Sequence, residues 1–261
     1  MKISILISSY NKGKYIKECI KSCLMQDEEN IEIILFDNFS NDETDKILNI
    51  FENKIKIYKS KKTSDFPAMN QIDLLQKAFH VSKGEIICLL DADDLFKKEK
   101  IRKVKNFFMK NNLIDVLFDL PTIKKGDNLQ KFYLKKKFFN NLWNTTIPTS
   151  SISLRRNFFK ECIVNGIFND YNLIEIDFRI NVFAQNIKKN FEIFDESLNV
   201  YRKVDQSITS KFKKFSFNWW RKRLQGHEFM KNIYFKQNKN YGNLDYNLTK
   251  IIIYFINLLK L

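Results

Sequence analysis

Three carboxylates fall within four positions at Asp91-Ala92-Asp93-Asp94, directly after the apolar run 85–90. An apolar strand that ends in clustered carboxylate oxygens suits a hard divalent cation such as Mg2+ or Mn2+. Such an ion bridges phosphates and stabilises a departing diphosphate as a Lewis acid. The spacing alone also fits a helix start preceded by acids that complement its dipole. A second polar pair, Asp37-Asn38, follows the apolar run 31–36. An acid or amide there can accept a hydrogen bond from a nucleobase N–H, and the same residues also make ordinary capping loops. The glycine-rich phosphate loops and the zinc-binding histidine motif that would point to kinase, dehydrogenase or zinc-protease chemistry do not occur in the chain.

The elements that must position these groups alternate in type. Residues 3–8 form a run short enough for a buried strand, and 9–13, Ser-Tyr-Asn-Lys-Gly, form a turn. Ile16, Cys19, Ile20, Cys23 and Leu24 then recur at helical spacing. A second strand at 31–36 leads to Asp42, which can cap a helix carrying Ile47, Leu48 and Phe51 on one face. A strand at 55–58, a helix at 67–82, a strand at 85–90 and a basic helix at about 97–111 follow. Strands alternating with helices predict a mostly parallel α/β sheet covered on both faces. In such sheets ligands bind outside the carboxyl ends of the strands, and both acidic loops fall at that edge. After 114–118 the alternation stops, and 120–210 reads as irregular except for a helix near 172–184.

Taken in order and at their spacing, residues 3–26, 31–47 and 84–94 resemble the N-terminal half of family 2 glycosyltransferases, inverting enzymes of the GT-A fold that use nucleotide-sugar donors. The resemblance covers residues 1–110 closely. It implies that Ser8 and Tyr10 lie against the nucleobase, together with Asp37 and Asn38. The family usually has two acids at that last pair, so the amide at Asn38, which both donates and accepts, leaves the base less certain; a UDP-sugar is favoured. The D-x-D motif maps to Asp91 and Asp93, implying ribose and diphosphate contacts for Asp91, metal coordination by Asp93, and Asp94 in support of either. The expected cofactor is Mn2+ or Mg2+. The second half is similar to the family more faintly, at 143–155, 172–179 and 201–207. The helix near 172–179 implies a general base, since an inverting transfer needs one carboxylate opposite the leaving group to take the acceptor hydroxyl proton. One alignment puts Asp177 in that role and the other Glu175; Asp177 is preferred. Arg202 would contact the diphosphate from the loop that closes over it. Some relatives add a histidine to the metal, and His227 is the residue placed for it.

A chain of 261 residues with 44% apolar content can bury a large core. The expected organisation is a GT-A domain at 1–210, with a nucleotide-sugar half at 1–110 and an acceptor half at 111–210, followed by a basic, aromatic, helical extension at 211–261. That extension holds eleven Lys and Arg against Glu228 and Asp245, and so carries +9 of the formal +15. Its cations interleave with aromatics at 211–223, which suits an anionic membrane surface or nucleic acid. The run 251–259 is too short to span a bilayer; it suits the interface, another subunit, or simple packing on its own domain. Cys19, Cys23, Cys88 and Cys162 form no C-x-x-C pair and read as core residues of a reducing compartment. With no signal-peptide pattern at the start, a cytoplasmic, peripheral enzyme is expected. The acceptor would be a glycan or a lipid-linked glycan of the cell surface. A nucleotidyltransferase of related fold would want more glycine in the 9–13 turn, and a nucleic-acid binder would leave Asp91 and Asp93 without a role.

Overall fold

The computed structural model describes residues 1–134, 146–204 and 212–258. The readings at Trp143 and Asn144, at Asp205 to Ser207, at Lys211 and at Leu259 lie outside the described residues.

A seven-stranded sheet forms the centre. Its strands are β1 (Ile3–Ser9), β2 (Ile31–Asp37), β3 (Lys56–Lys59), β4 (Ile86–Asp91), β6 (Val116–Asp119), β9 (Ile152–Arg155) and β10 (Phe191–Phe194), in the order β10-β6-β9-β4-β1-β2-β3. Every residue of β1 is buried, its three serines included, so the strand shows no alternation of buried and exposed positions. It pairs in parallel with β2 and β4, and Ser8 stands opposite both Phe36 and Asp91 while Ser9 stands opposite Asp37. Register alone therefore carries the ends of three strands to one edge. Strand β9 runs antiparallel between β4 and β6, which lets the C-terminal half complete the sheet.

Helices cover both faces. α1 (Ile16–Leu24), α2 (Thr44–Asn49) and α4 (Lys100–Lys110) lie on one face, where Ile16, Cys19, Ile20 and Cys23 meet Ile101, Val104 and Phe108. α3 (Pro67–Val81), α5 (Arg156–Val164), α6 (Ile176–Val182) and α7 (Phe217–Lys236) cover the other, around Ile72, Leu75, Phe159, Phe178 and Phe229. Pro67 opens α3 at a position where its missing N–H costs nothing. All four cysteines are free and buried, as core residues should be.

The expectation of irregular structure at 120–210 is corrected. β7 (Thr122–Lys125), β8 (Asn128–Lys131), β5 (Leu95–Phe96) and β11 (Asn199–Arg202) make a second sheet in the order β5-β11-β7-β8. These strands run two to four residues, too short for a periodic pattern to register. α6 is likewise only seven residues long and passes into a π-helical turn at Phe183–Lys188. Two helices occupy most of the described part of the basic extension, and Phe229, Met230, Ile233 and Tyr234 of α7 belong to the main core. α8 (Leu244–Leu258) packs on α7 through Thr249 and Ile253 and leaves Leu248, Ile251 and Phe255 exposed.

Gly84 precedes β4 where its backbone meets β1. A Cβ there would lie 2.4 Å from Ser4 Oγ and 2.5 Å from Ser4 N. The Gly84 N–H donates to Ser4 Oγ at 2.8 Å and to Glu32 Oε1 at 3.1 Å. Gly84→Ala is expected to destabilise the fold by about 1–3 kcal/mol, the usual range for forced overpacking. A lowered Tm in thermal unfolding checks it; an unchanged Tm would mean that β1 and β4 can separate without loss.

Candidate active site

Asp91 ends β4. Its Oδ1 accepts a 2.6 Å hydrogen bond from Gln71 Nε2 on α3, and its backbone N–H donates to Ser150 Oγ at 3.1 Å. Burial and then the neighbouring Asp93 raise its carboxyl to about 7, against the pull of the Lys12 ammonium and the Gln71 bond. Asp93 Oδ2 pairs with Lys12 Nζ at 2.5 Å, and both side chains are mostly buried. The β1–α1 turn that carries Lys12 is stitched to the loop after β2. Asn11 N donates to Ser40 Oγ, Lys12 N to Thr44 Oγ1 and Gly13 N to Asp42 Oδ2.

Asp94 does not face the cleft, contrary to its assignment among the donor contacts. It is fully buried, accepting from Ser150 Oγ at 2.6 Å and from the Arg202 backbone N–H at 2.8 Å. Burial and the charges of Asp93 and Asp91 raise its carboxyl well above the ordinary range. Its role is to tie β4 to β11. The Arg202 guanidinium pairs with Glu18 on α1 and lies 5.5 Å from the centre of the Tyr15 ring, a contact that braces the helix.

At the end of β2, Asp37 is fully buried and spends both oxygens on Ser40, accepting from its N–H and its hydroxyl at 2.7 Å each. Asn38 donates to the Ser60 carbonyl at 2.9 Å, which leaves its own side-chain oxygen as an acceptor. Ser8 is buried at the end of β1. Tyr10 is exposed, with Lys62 Nζ 3.5 Å over its ring.

The two candidate bases have different surroundings. Glu175 is the residue before α6, is 7% exposed, and forms an ion pair with Lys222 of α7. Asp177, two residues further, is half-buried, and its Oδ1 accepts from the Phe178 backbone N–H at 2.7 Å. Burial, then Glu175, then Asp91 raise its carboxyl to about 7. The α6 start and the D-x-D loop are linked through α3, where Met69 Sδ lies 3.6 Å from Arg179 Nη2 and Gln71 holds Asp91. Arg179, fully buried on α6, fixes the approach to this helix. Its guanidinium donates to the carbonyls of Ile167, Asn169, Asp170, Tyr171 and Ile174 at 2.6–3.0 Å. That clamp holds Asp170 and Tyr171 in the left-handed region, at φ of 51° and 52°, where non-glycine residues are uncommon. A cavity of about 560 Å³ opens beside this loop, lined by Met69, Asp73, Gln76, Asn169 and Tyr171 among others.

No group of three or more His, Cys, Asp and Glu side chains spaced to hold a metal occurs among the described residues. The D-x-D loop nevertheless fits a divalent ion. Mg2+-like ions are commonly held by one or two carboxylates and completed by substrate phosphates. Asp93 raises the ionisation cost of Asp91, which a cation would relieve, and the adjacent Gln71 Oε1 is a buried oxygen with no partner among the described residues. His227 is not part of this group. It is fully buried, with Nδ1 2.7 Å from Tyr241 Oη and Nε2 3.1 Å from Asp245 Oδ2, and burial lowers it to about 4. Both nitrogens are occupied, which corrects the reading of it as a metal ligand.

The family model described as glycosyl transferase family 2 matches residues 4–163, from β1 to the end of α5. The chain belongs to glycosyltransferase family 2. Over 89% of its length it is 27% identical to an uncharacterized glycosyltransferase of Methanocaldococcus jannaschii, covering 83% of that protein. Over 84% it is 26% identical to TuaG of Bacillus subtilis, a putative teichuronic acid biosynthesis glycosyltransferase, covering 86% of it. The match spans less than half of several other curated relatives, 44% in the case of a Haemophilus influenzae glycosyltransferase at 37% identity. Among solved structures, residues 1–349 of S. aureus TarS in complex with UDP-GlcNAc align at TM-score 0.66 and 17% identity, covering 97% of this chain and 70% of that one. The mannosyltransferase PcManGT of Pyrobaculum calidifontis, in complex with GDP-Man and Mn2+, aligns at TM-score 0.57 and 14% identity, covering 97% and 69%. At these identities the structures establish the GT-A type fold.

Within this family 2 chain, several site residues escape sequence reasoning. Lys12 looks like any turn lysine. Gln71 is polar beside the buried positions Ala68, Ile72 and Leu75, and that placement was a usable signal. Lys222 sits in a lysine-rich segment where its pairing with Glu175 has no sequence signature. Ser150 bridges Asp91 and Asp94 across 56 residues or more.

Proposed function

We propose that the chain transfers a sugar from a nucleoside diphosphate sugar to an acceptor hydroxyl, with inversion at the anomeric carbon. The observation that supports this best is the link made by α3, whose Gln71 binds Asp91 in the D-x-D loop while its Met69 meets Arg179 of α6, the helix that carries Asp177. This favours a candidate base close to a candidate diphosphate site. Asp93, with Asp91, would hold Mn2+ or Mg2+, which when bound supplies Lewis-acid stabilisation of the leaving diphosphate. Ser8, Tyr10 and Asn38 would line the nucleobase side, with Asp37, whose oxygens are spent on Ser40, holding the loop after β2 in place. Asp177 takes the proton of the acceptor hydroxyl, while Glu175 is held by Lys222 as its support. A UDP-sugar remains the favoured donor, consistent with the Asn38 acceptor oxygen and with the UDP-GlcNAc bound to TarS. The teichuronic and teichoic acid biosynthesis roles of the Bacillus subtilis relatives TuaG and GgaA favour a cell-surface polymer as acceptor.

No helix among the described residues is long and apolar enough to cross a membrane. The start of α7 presents an exposed Phe215 beside Trp219 and Trp220, with Lys214 and Arg223 over the rings. This cluster suits peripheral docking on an anionic leaflet, where such an acceptor is made.

The test is donor binding and hydrolysis. A panel of UDP- and GDP-sugars with Mn2+ should contain one that raises Tm, because a ligand bound only by the native state stabilises it. The same sugar nucleotide should release its diphosphate slowly in metal-containing buffer. A panel in which none shifts Tm or is hydrolysed would overturn the reading.

A further inference from the structure

Lys12 is the residue of this site that the proposed transfer has not used. Its ammonium lies 2.5 Å from Asp93 Oδ2 and also lowers the ionisation cost of Asp91. It therefore sits within the field of both D-x-D carboxylates. The pair is not a loose surface contact, since the Lys12 side chain is 21% exposed and that of Asp93 12%. Three backbone N–H groups in succession, those of Asn11, Lys12 and Gly13, are anchored on Ser40, Thr44 and Asp42. At Gly13 an added Cβ would lie 3.1 Å from Asp42 Oδ2, so the turn is pressed closely against the loop after β2. The backbone of Lys12 is thus anchored, and its four-carbon side chain reaches from that fixed point to Asp93.

We propose that Lys12 is a positioning residue that competes with the divalent cation for Asp93 and passes to the donor diphosphate when ion and donor bind together. The inference rests on the functional reading above. Its physical basis is charge. A monovalent ammonium and a divalent cation cannot both hold the same carboxylate oxygen closely without repelling each other. A diphosphate arriving with the ion brings new anionic oxygens within reach of a flexible lysine, which acts as a mobile point charge. Two consequences oppose each other. Lys12 weakens binding of the metal alone, and it strengthens binding of metal and diphosphate together. Metal would then be held tightly only when the donor is present.

The experiment measures Mn2+ binding from the free-ion EPR signal, and UDP and GDP binding by calorimetry, for the parent chain, Lys12→Met and Lys12→Arg. Lys12→Met should bind Mn2+ alone about tenfold more tightly and, with Mn2+ saturating, bind the diphosphates about tenfold more weakly. These shifts correspond to loss of one charge-assisted contact in each state. Lys12→Arg, which keeps the charge, should stay close to the parent in both. Circular dichroism and Tm confirm that each variant is folded. If Lys12→Met binds Mn2+ alone no more tightly than the parent, Lys12 is only a structural partner of Asp93 and the inference is overturned. A different result overturns the underlying reading: a parent chain that binds no diphosphate with or without Mn2+, or binds it equally well in excess chelator.

Discussion

Asp177→Asn is expected to leave donor binding within about twofold of the parent while lowering sugar transfer by roughly 10²-fold or more, the usual worth of a general base. Glu175→Gln should be the milder change. Glu175 already has its charge matched by Lys222, so its loss acts through the placement of α6 rather than through proton transfer. Steady-state kinetics with a fixed acceptor decide between them. If Glu175→Gln is crippling and Asp177→Asn mild, the base is Glu175. The pH profile adds an independent check. A base must be ionised, and burial with Glu175 and Asp91 holds Asp177 at about 7. Activity should therefore fall as pH drops through the neutral range and level off above it. A divalent cation on Asp91 and Asp93 offsets part of the charge that raises Asp177, so the midpoint in saturating Mn2+ should lie below 7. The stability sign runs the other way. A carboxyl whose folded pKa exceeds its unfolded value favours the protonated fold, so this group's contribution is present at low pH and is lost as pH rises toward 7. Asp177→Asn should consequently not lower Tm at pH 8.

Asp93→Ala should abolish transfer without unfolding the chain. Asp93 makes its ion pair with Lys12 and is not threaded into the Asp94, Ser150 and Arg202 network that ties the sheets together. Lewis-acid stabilisation of a leaving diphosphate is worth several kcal/mol, and each ~1.4 kcal/mol is tenfold in rate, so a fall on the order of 10³-fold is expected. Excess chelator should do the same to the parent, with recovery on adding Mn2+ or Mg2+. Full turnover in metal-stripped buffer would remove the ion from the scheme. Asp94→Asn provides the contrast. Its damage should appear as a lowered Tm, because it changes a fully buried acceptor that receives two hydrogen bonds.

The N-terminal half of the fold was legible because its strands and helices are long enough for periodicity to show. β1, β2 and β4 are six or seven residues of nearly unbroken apolar sequence, and α1 and α3 repeat their buried positions at helical spacing. The parallel alternation then dictated that Asp37 and Asp91 share an edge, and the pairing of Ser8 with Asp91 and Ser9 with Asp37 bears this out. The resemblance to family 2 members also singled out the D-x-D loop and the pair of candidate bases. What the sequence could not determine was which polar groups face the cleft and which are spent on the fold. Asp91, Asp93 and Asp94 are adjacent and chemically alike, yet one meets Gln71, one meets Lys12 and one is sealed against Ser150 and Arg202. Those partners lie 20 to 108 residues away in the chain. The same holds for Glu175 and Asp177, whose surroundings differ by a lysine on a helix that local pattern assigned to a tail. Local propensity reports how a segment will lie. A carboxylate's charge state and partner depend on burial and on what the packed sheet brings against it, and those exist only once the chain has closed on itself.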